Sequence, residues 1–285
     1  MCQQITSLSL AEYKQKFATN NIYYNFFAVD LFHTKHFFMF VASLYNLKGG
    51  VGKTASCVNF AFMAAKDGYK TLVWDLDPQG AASYYLNAQP TVKGNIKKII
   101  EHNLDVTDAI VATDYDMLDI IPADLSARKL DILLEAQHGS KKYFKNLLKQ
   151  VSSVYDFVFI DCPPGFSNVA DNIFYASDAV LMPVIPTTLS IRTYEQVKSY
   201  FESKDMDPGK LMCFFSMVDI RKNMHNDTML QLYKDKRFFE HYIPYMSDIE
   251  KMGVKHAPVE VYAPSGFATT CYRALWNDIK EGVLE

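Results

Sequence analysis

Short, continuously apolar runs alternate along the chain with stretches of helical periodicity. The apolar runs lie at 40–46, 71–75, 117–121, 156–161, 178–183 and 211–218. Runs of that length without polar alternation predict strands buried on both faces. Between them the period predicts helices at about 54–67, 126–135, 141–152, 168–176, 188–203 and 224–235, and a last helix at about 266–281. Strand–helix alternation builds βαβ units, so the expected fold class is α/β: a mostly parallel twisted sheet flanked by helices on both faces. No Pro/Gly/Ser-rich linker or internal repeat interrupts the pattern, and 39–285 reads as one domain.

Residues 1–38 do not share the pattern. They are crowded with aromatics (Tyr13, Phe17, Tyr23, Tyr24, Phe26, Phe27, Phe32, Phe37, Phe38) that follow neither period. Met39 directly precedes the first strand, so the expectation is a start at Met39 and an extension foreign to the fold. An ordered extension whose aromatics dock on the domain is the open alternative.

Composition narrows the class. The 285 residues are 49% hydrophobic and 21% charged, which excludes wholesale disorder, collagen repeats and a coiled-coil rod. Lys and Arg number 29 against 32 Asp and Glu, for a formal charge of -3. Any contact with nucleic acid must therefore come from a local basic face. The five cysteines (Cys2, Cys57, Cys162, Cys213, Cys271) form no C-x-x-C pair, which argues against a disulfide scaffold or zinc site and fits a reducing cytoplasm. No apolar run approaches the roughly 18–20 residues that span a bilayer, and the N-terminus does not read as a signal peptide.

The densest chemistry is Lys48-Gly49-Gly50-Val51-Gly52-Lys53-Thr54-Ala55, after a strand and opening a helix. Its glycines let backbone N–H groups and the helix N-terminus face an anionic phosphate. Lys53 can reach β- and γ-phosphates, and the Thr54 hydroxyl can bind Mg2+. Two carboxylate-bearing strand ends accompany it. One is Asp75-Leu76-Asp77-Pro78-Gln79-Gly80; the other is Phe157-Val158-Phe159-Ile160-Asp161-Cys162-Pro163-Pro164. Acids at the C-terminal ends of parallel strands border the phosphate crevice of an open α/β sheet. Asp161 closes the strand that in such sites holds magnesium.

Leu47 stands where the usual phosphate loop has glycine, and Lys48 adds a second lysine. In this the sequence resembles the deviant Walker A ATPases of the ParA/MinD group, whose motif is K-G-G-x-G-K-[ST]. The Asp75–Gly80 block is similar to the group's D-x-D-P-Q-G segment, and Asp161-Cys162-Pro163-Pro164 to its D-[CT]-P-P. Likeness continues at 180–184, 215–222, 243–245 and 252–259 and into the last helix, spanning 40–281 in the manner of the short, single-domain partition ATPases.

The resemblance implies ATP and Mg2+ as cofactors and ATP hydrolysis as the activity. It implies an ATP-dependent homodimer sandwich in which Lys48 crosses to the partner's nucleotide. Lys48, Lys53 and Asp77 then carry catalysis, with Thr54, Asp75 and Asp161 around the metal. Met217 and Pro244 occupy places that flank adenine in the family, although both residue types serve a core equally well. Cys162 fits packing rather than nucleophilic attack. A ParB-like or other adaptor protein, non-specific DNA and a nucleoid-associated cytoplasmic location follow by the same route. The cargo could be a chromosome, a plasmid or another cytoplasmic body.

Arg221 and Lys222, with Arg192, Lys255 and Arg273, are the candidates for DNA phosphates, but no basic stripe is visible. A membrane-cycling regulator of the MinD kind needs a basic amphipathic end, whereas Trp276–Glu285 is acidic. A nucleotide-binding scaffold with negligible turnover is the other alternative, against which Lys53, Thr54, Asp77 and Asp161 argue. The seven histidines form no convincing metal site.

Overall fold

Alternation within the strands divides the core between two helical layers. A computed structural model describes residues 39–136 and 141–284; the expectation for residues 1–38 lies outside the described residues. In β5 (Phe157–Asp161) every side chain is buried, and neighbours point to opposite faces. Phe157 and Phe159 meet Trp276 at centroid distances of 5.5 and 6.0 Å. That face also receives the helix Lys53–Lys66, α1, where Phe60 meets Phe214 and Tyr272 edge-on. On the other face Tyr45 packs against Phe174 and Trp74 against Phe144, at 4.6 and 5.2 Å. Each such aromatic, fully buried, contributes roughly 1.5–3 kcal/mol of transfer free energy.

The strands are β1 (Phe40–Leu44), β2 (Thr71–Asp75), β3 (Val111–Ala112), β4 (Leu118–Ile121), β5, β6 (Ala179–Val184) and β7 (Leu211–Phe215). They form one sheet in the order β3-β4-β2-β5-β1-β6-β7. All pairings are parallel except β3 with β4. The remaining longer helices are α2 (Ala81–Tyr85), α3 (Asn95–Ile100), α4 (Leu130–Ala136), α5 (Tyr143–Leu148), α6 (Asn168–Ala176), α7 (Thr188–Ser203), α8 (Asn223–Leu232) and α9 (Phe267–Leu284). Single turns at Ser247–Glu250, Met252–Lys255 and Val259–Tyr262 join the sheet to α9. The expected α/β architecture is the observed one.

Two of the departures from the expected elements have plain physical reasons. The run 211–218 ends as strand at Phe215 because Met217 adopts a left-handed backbone, φ 53°, which no strand continues through. The two-residue β3 is an edge strand, too short to leave a period in the sequence.

Register brings the chemistry to one end of the sheet. Leu44 and Asp75 both pair with Asp161, so the C-terminal ends of the three central strands lie level. Asp75 shares parity with Val73, and Asp161 with Phe159, which turns both carboxylates toward the layer that holds α1.

Candidate functional site

The phosphate loop folds around the start of α1. Gly50 and Gly52 take φ 71° and 92°, and Gly52 is the residue that caps the helix. A Cβ on Gly52 would stand 2.8 Å from Ser216 Oγ, so the backbone conformation calls for glycine and any side chain there would also displace that hydroxyl. Asn46 fixes the entry to the loop. Its Nδ2 donates to the Pro183 carbonyl at 2.7 Å, and its Oδ1 accepts the Lys48 N–H at 2.9 Å. Lys53 is buried, and its ammonium donates to the Lys48 carbonyl at 3.0 Å. Burial pulls its pKa down, while Asp161 works in the opposite direction. Lys48 is half-buried, and its ammonium has no hydrogen bond or ion pair among the described residues.

The three carboxylates do different work. Asp161 is fully buried, and neither of its oxygens has a hydrogen bond of ordinary geometry. Burial drives its carboxyl well above the usual range and Asp75 adds to this, while the Thr54 hydroxyl and Lys53 pull it down. An orphaned buried carboxylate costs several kcal/mol unless something offsets it. With the Thr54 hydroxyl it forms a hard-oxygen donor set suited to Mg2+, which takes few protein ligands and keeps phosphate and water oxygens. Among the described residues no group of three or more His, Cys, Asp or Glu could hold a metal.

Asp75 is not orphaned. Its Oδ2 accepts from the N–H and hydroxyl of Ser83 at 2.8 and 2.7 Å. Burial pushes its pKa up to about 6 against those two hydrogen bonds. Asp77 lies beyond the strand end and is half-exposed; its Oδ1 accepts the Gln79 N–H at 2.9 Å. The even spacing of Asp75 and Asp77 therefore does not make them equivalent, because the chain turns after Asp75.

These elements open on a cavity of about 710 Å³. Gly49, Gly50, Gly52, Lys53, Thr54, Ala55 and Asp77 line it, and so do Met217 and Pro244. Val51, Asp75 and Asp161 sit behind that lining and are buried. Met217 and Pro244 come together because Val218 bridges Pro244, with the Val218 N–H donating to the Ile243 carbonyl at 3.1 Å. The segment beyond is tied to α1 by Asn59, whose Oδ1 accepts the Val259 N–H at 2.9 Å. Tyr85, Arg128 and Glu250 also line the cavity without a signal in the sequence reading, and Tyr245 and Tyr272, there only part of the resembling segments, line it too. Its place in the loop that follows a strand's C-terminal end was the one available signal for Arg128.

Cys162 is buried, and its Sγ faces the Ile160 carbonyl at 3.6 Å, as packing requires. Of the basic candidates, Arg273 is held by Asp67 and Glu260 at 2.7 and 3.1 Å. Arg221 is paired with Asp219 at 2.8 Å yet remains 85% exposed. Arg192, Lys222 and Lys255 are exposed.

The sequence profile of the AAA domain matches residues 39–206. The sporulation initiation inhibitor protein Soj of Bacillus subtilis is 28% identical over 250 residues, covering 84% of this chain and 97% of that protein. The chromosome partitioning protein ParA of Myxococcus xanthus is 25% identical over 241 residues, covering 82% and 85%. Among solved structures, a plasmid partition protein of Borrelia burgdorferi bound to AMPPNP superposes with a TM-score of 0.74 at 20% identity. That match covers 86% of this chain and 98% of the other, and it speaks for the fold.

Proposed function

The chain belongs to the AAA domain family and is a ParA-type P-loop ATPase of the partitioning or positioning kind, and on that premise we propose that it works as a nucleotide-switched homodimer on DNA. The phosphates of ATP lie on the loop Lys48–Ala55, and the base rests between Met217 and Pro244. Thr54 and Asp161 hold Mg2+, with Asp75 fixed behind them by Ser83. Bound there, the ion neutralises phosphate charge for in-line transfer. Asp77, whose Oδ2 is uncommitted among the described residues, orients the attacking water. The water oxygen bonds to the terminal phosphorus as the bond to the ADP oxygen breaks, leaving ADP and phosphate.

The observation that carries the dimer is the different fate of the loop's two lysines. Lys53 is buried against its own loop, whereas the Lys48 ammonium is uncommitted. A free ammonium on the loop, outside the lining of its own cavity, suits transition-state charge on a second nucleotide, much as an arginine finger does. Closing the dimer would thus complete each site with Lys48 of the partner subunit. The closed dimer then binds DNA through phosphates without sequence preference, and an adaptor of the ParB kind selects the cargo. The membrane alternative is disfavoured by α9: Tyr272, Leu275, Trp276 and Ile279, its apolar face, are already buried in the core.

The test is retention of random-sequence DNA by the full chain with Mg-ATP, with Mg-ADP and without nucleotide, at low and high salt. Retention with Mg-ATP alone, weakened by salt and lost in Lys48→Ala, is expected. No retention at low salt, despite ATP binding, would overturn the DNA reading.

A further inference from the structure

Among the described residues that line the cavity, the cationic side chains are Lys53 and Arg128, and the acidic ones are Asp77 and Glu250. Arg128 lies in the single turn Leu125–Lys129 that follows β4. Since β4 pairs with β2, ending at Trp74 opposite Ile121, the loop bearing Arg128 leaves the sheet beside the loop bearing Asp77. Both loops reach the cavity, with Asp77, Pro78, Gln79 and Arg128 in its wall.

The backbone that carries Arg128 is fixed. The Ala123 N–H donates to Ser83 Oγ at 2.9 Å, and that hydroxyl donates to Asp75 Oδ2 at 2.7 Å. Asn95 Nδ2 donates to the Pro122 carbonyl at 2.9 Å, and Asp124 caps the turn by accepting the Ser126 N–H. The guanidinium is the opposite case. Arg221, Arg237 and Arg273 each have a carboxylate partner, while Arg128 is exposed and forms no hydrogen bond or ion pair among the described residues. A planar donor fork on a rigid base, facing a cavity without a partner of its own, suits bidentate binding of a phosphate. Because its loop is already ordered, binding need fix only the side chain and not the backbone that carries it.

We propose that Arg128 contacts the terminal phosphate of the bound nucleotide from within the same chain. The cavity thereby distinguishes a nucleoside triphosphate from a diphosphate before any second subunit arrives. The inference rests on the cavity's being the nucleotide site. It adds a cation in cis to the charge that the phosphate loop supplies, and it ties that cation through Ala123 and Ser83 to the Asp75 carboxylate.

The experiment is equilibrium binding of Mg-AMPPNP and Mg-ADP to the full chain, as wild type, Arg128→Ala and Arg128→Lys. A charge-assisted bond at an exposed site predicts about a tenfold loss of AMPPNP affinity in Arg128→Ala, with ADP affinity held within about twofold. Arg128→Lys should recover part of the loss, since it keeps the charge without the fork. The AMPPNP-to-ADP ratio should also fall with added salt in the wild type more than in Arg128→Ala. An unchanged AMPPNP affinity in Arg128→Ala would overturn the proposal, and so would an equal fall for both nucleotides. A wild-type chain that binds neither nucleotide overturns the reading of the cavity itself, and the role of Arg128 with it.

Discussion

Gly52 and Met217 hold left-handed backbone on the same cavity, at φ 92° and 53°, and they arrive there by different routes. At Gly52, in the phosphate end, the conformation dictates the residue: its φ is one that L side chains rarely adopt, and a Cβ there would also press on Ser216 Oγ. At Met217, in the base end, the surroundings dictate the conformation. The Ser216 N–H donates to the Val184 carbonyl and the Val218 N–H to the Ile243 carbonyl, at 3.0 and 3.1 Å. Between those anchors an ordinary side chain accepts a strain of about 1–3 kcal/mol. One end of the site thus selects its residues, and the other bends the residues it has.

That contrast can be broken most decisively at Gly52. Gly52→Ala adds both a left-handed penalty and a close contact, so we expect ATP affinity to fall at least about a hundredfold. Stability should fall by about 2 kcal/mol. Titration with ATP and a denaturant midpoint check both, and near-normal ATP binding would remove the steric account of the loop. Met217→Ala should act more mildly. It shortens a wall of the base end without touching the phosphates, so KM for ATP should rise about three- to tenfold with kcat little changed. A loss confined to kcat would place Met217 in the chemistry instead.

The smallest effect sharpens the comparison through pH. The base-end segment is tethered by His241, whose N–H and ring Nδ1 meet the Asp278 carboxylate at 3.1 and 2.8 Å. Burial lowers the imidazole pKa, but the hydrogen bond and charge of Asp278, with Glu240 and Glu281 nearby, outweigh it and raise it above the usual value. Protonated histidine is then favoured in the folded chain. The tether's contribution is full below about pH 6.5 and is lost as pH rises through the raised value. Because the pair is partly exposed, roughly 0.5 kcal/mol is at stake. The denaturant midpoint should drop slightly above pH 6.5 in the wild type and not in Asp278→Asn. Equal slopes in the two proteins would dismiss the tether.

The same contrast explains what the sequence made legible. Strands such as Phe157–Asp161 and the helix Lys53–Lys66 were visible because burial on two faces and a 3.6-residue period mark the residues themselves. The phosphate loop was visible because its geometry admits little but glycine. The end of β7 at Phe215 was not, since nothing in Ser216-Met217-Val218 announces a backbone reversal imposed by β6 and Ile243. Arg128 was hidden for a related reason. It acquires meaning only when β4 pairs with β2 and sets its loop beside Asp77. Asp75 and Asp77 look alike on paper, and only the turn after the strand gives one to Ser83 and the other to the cavity.

The far end of α1 extends these consequences beyond the site. Asp67 follows the helix where its dipole is negative, and Arg273, Trp276 and Lys280 of α9 all donate to it, at 2.7, 2.9 and 2.6 Å. The 14 residues of α1 make a rod about 20 Å long, with the phosphate loop at one tip and this three-pronged grip at the other. Were nucleotide binding to tilt the rod, the movement would reach an indole, one of the two in the chain. The molecule carries its own optical gauge: Trp276 emission should register occupancy of a pocket it never touches.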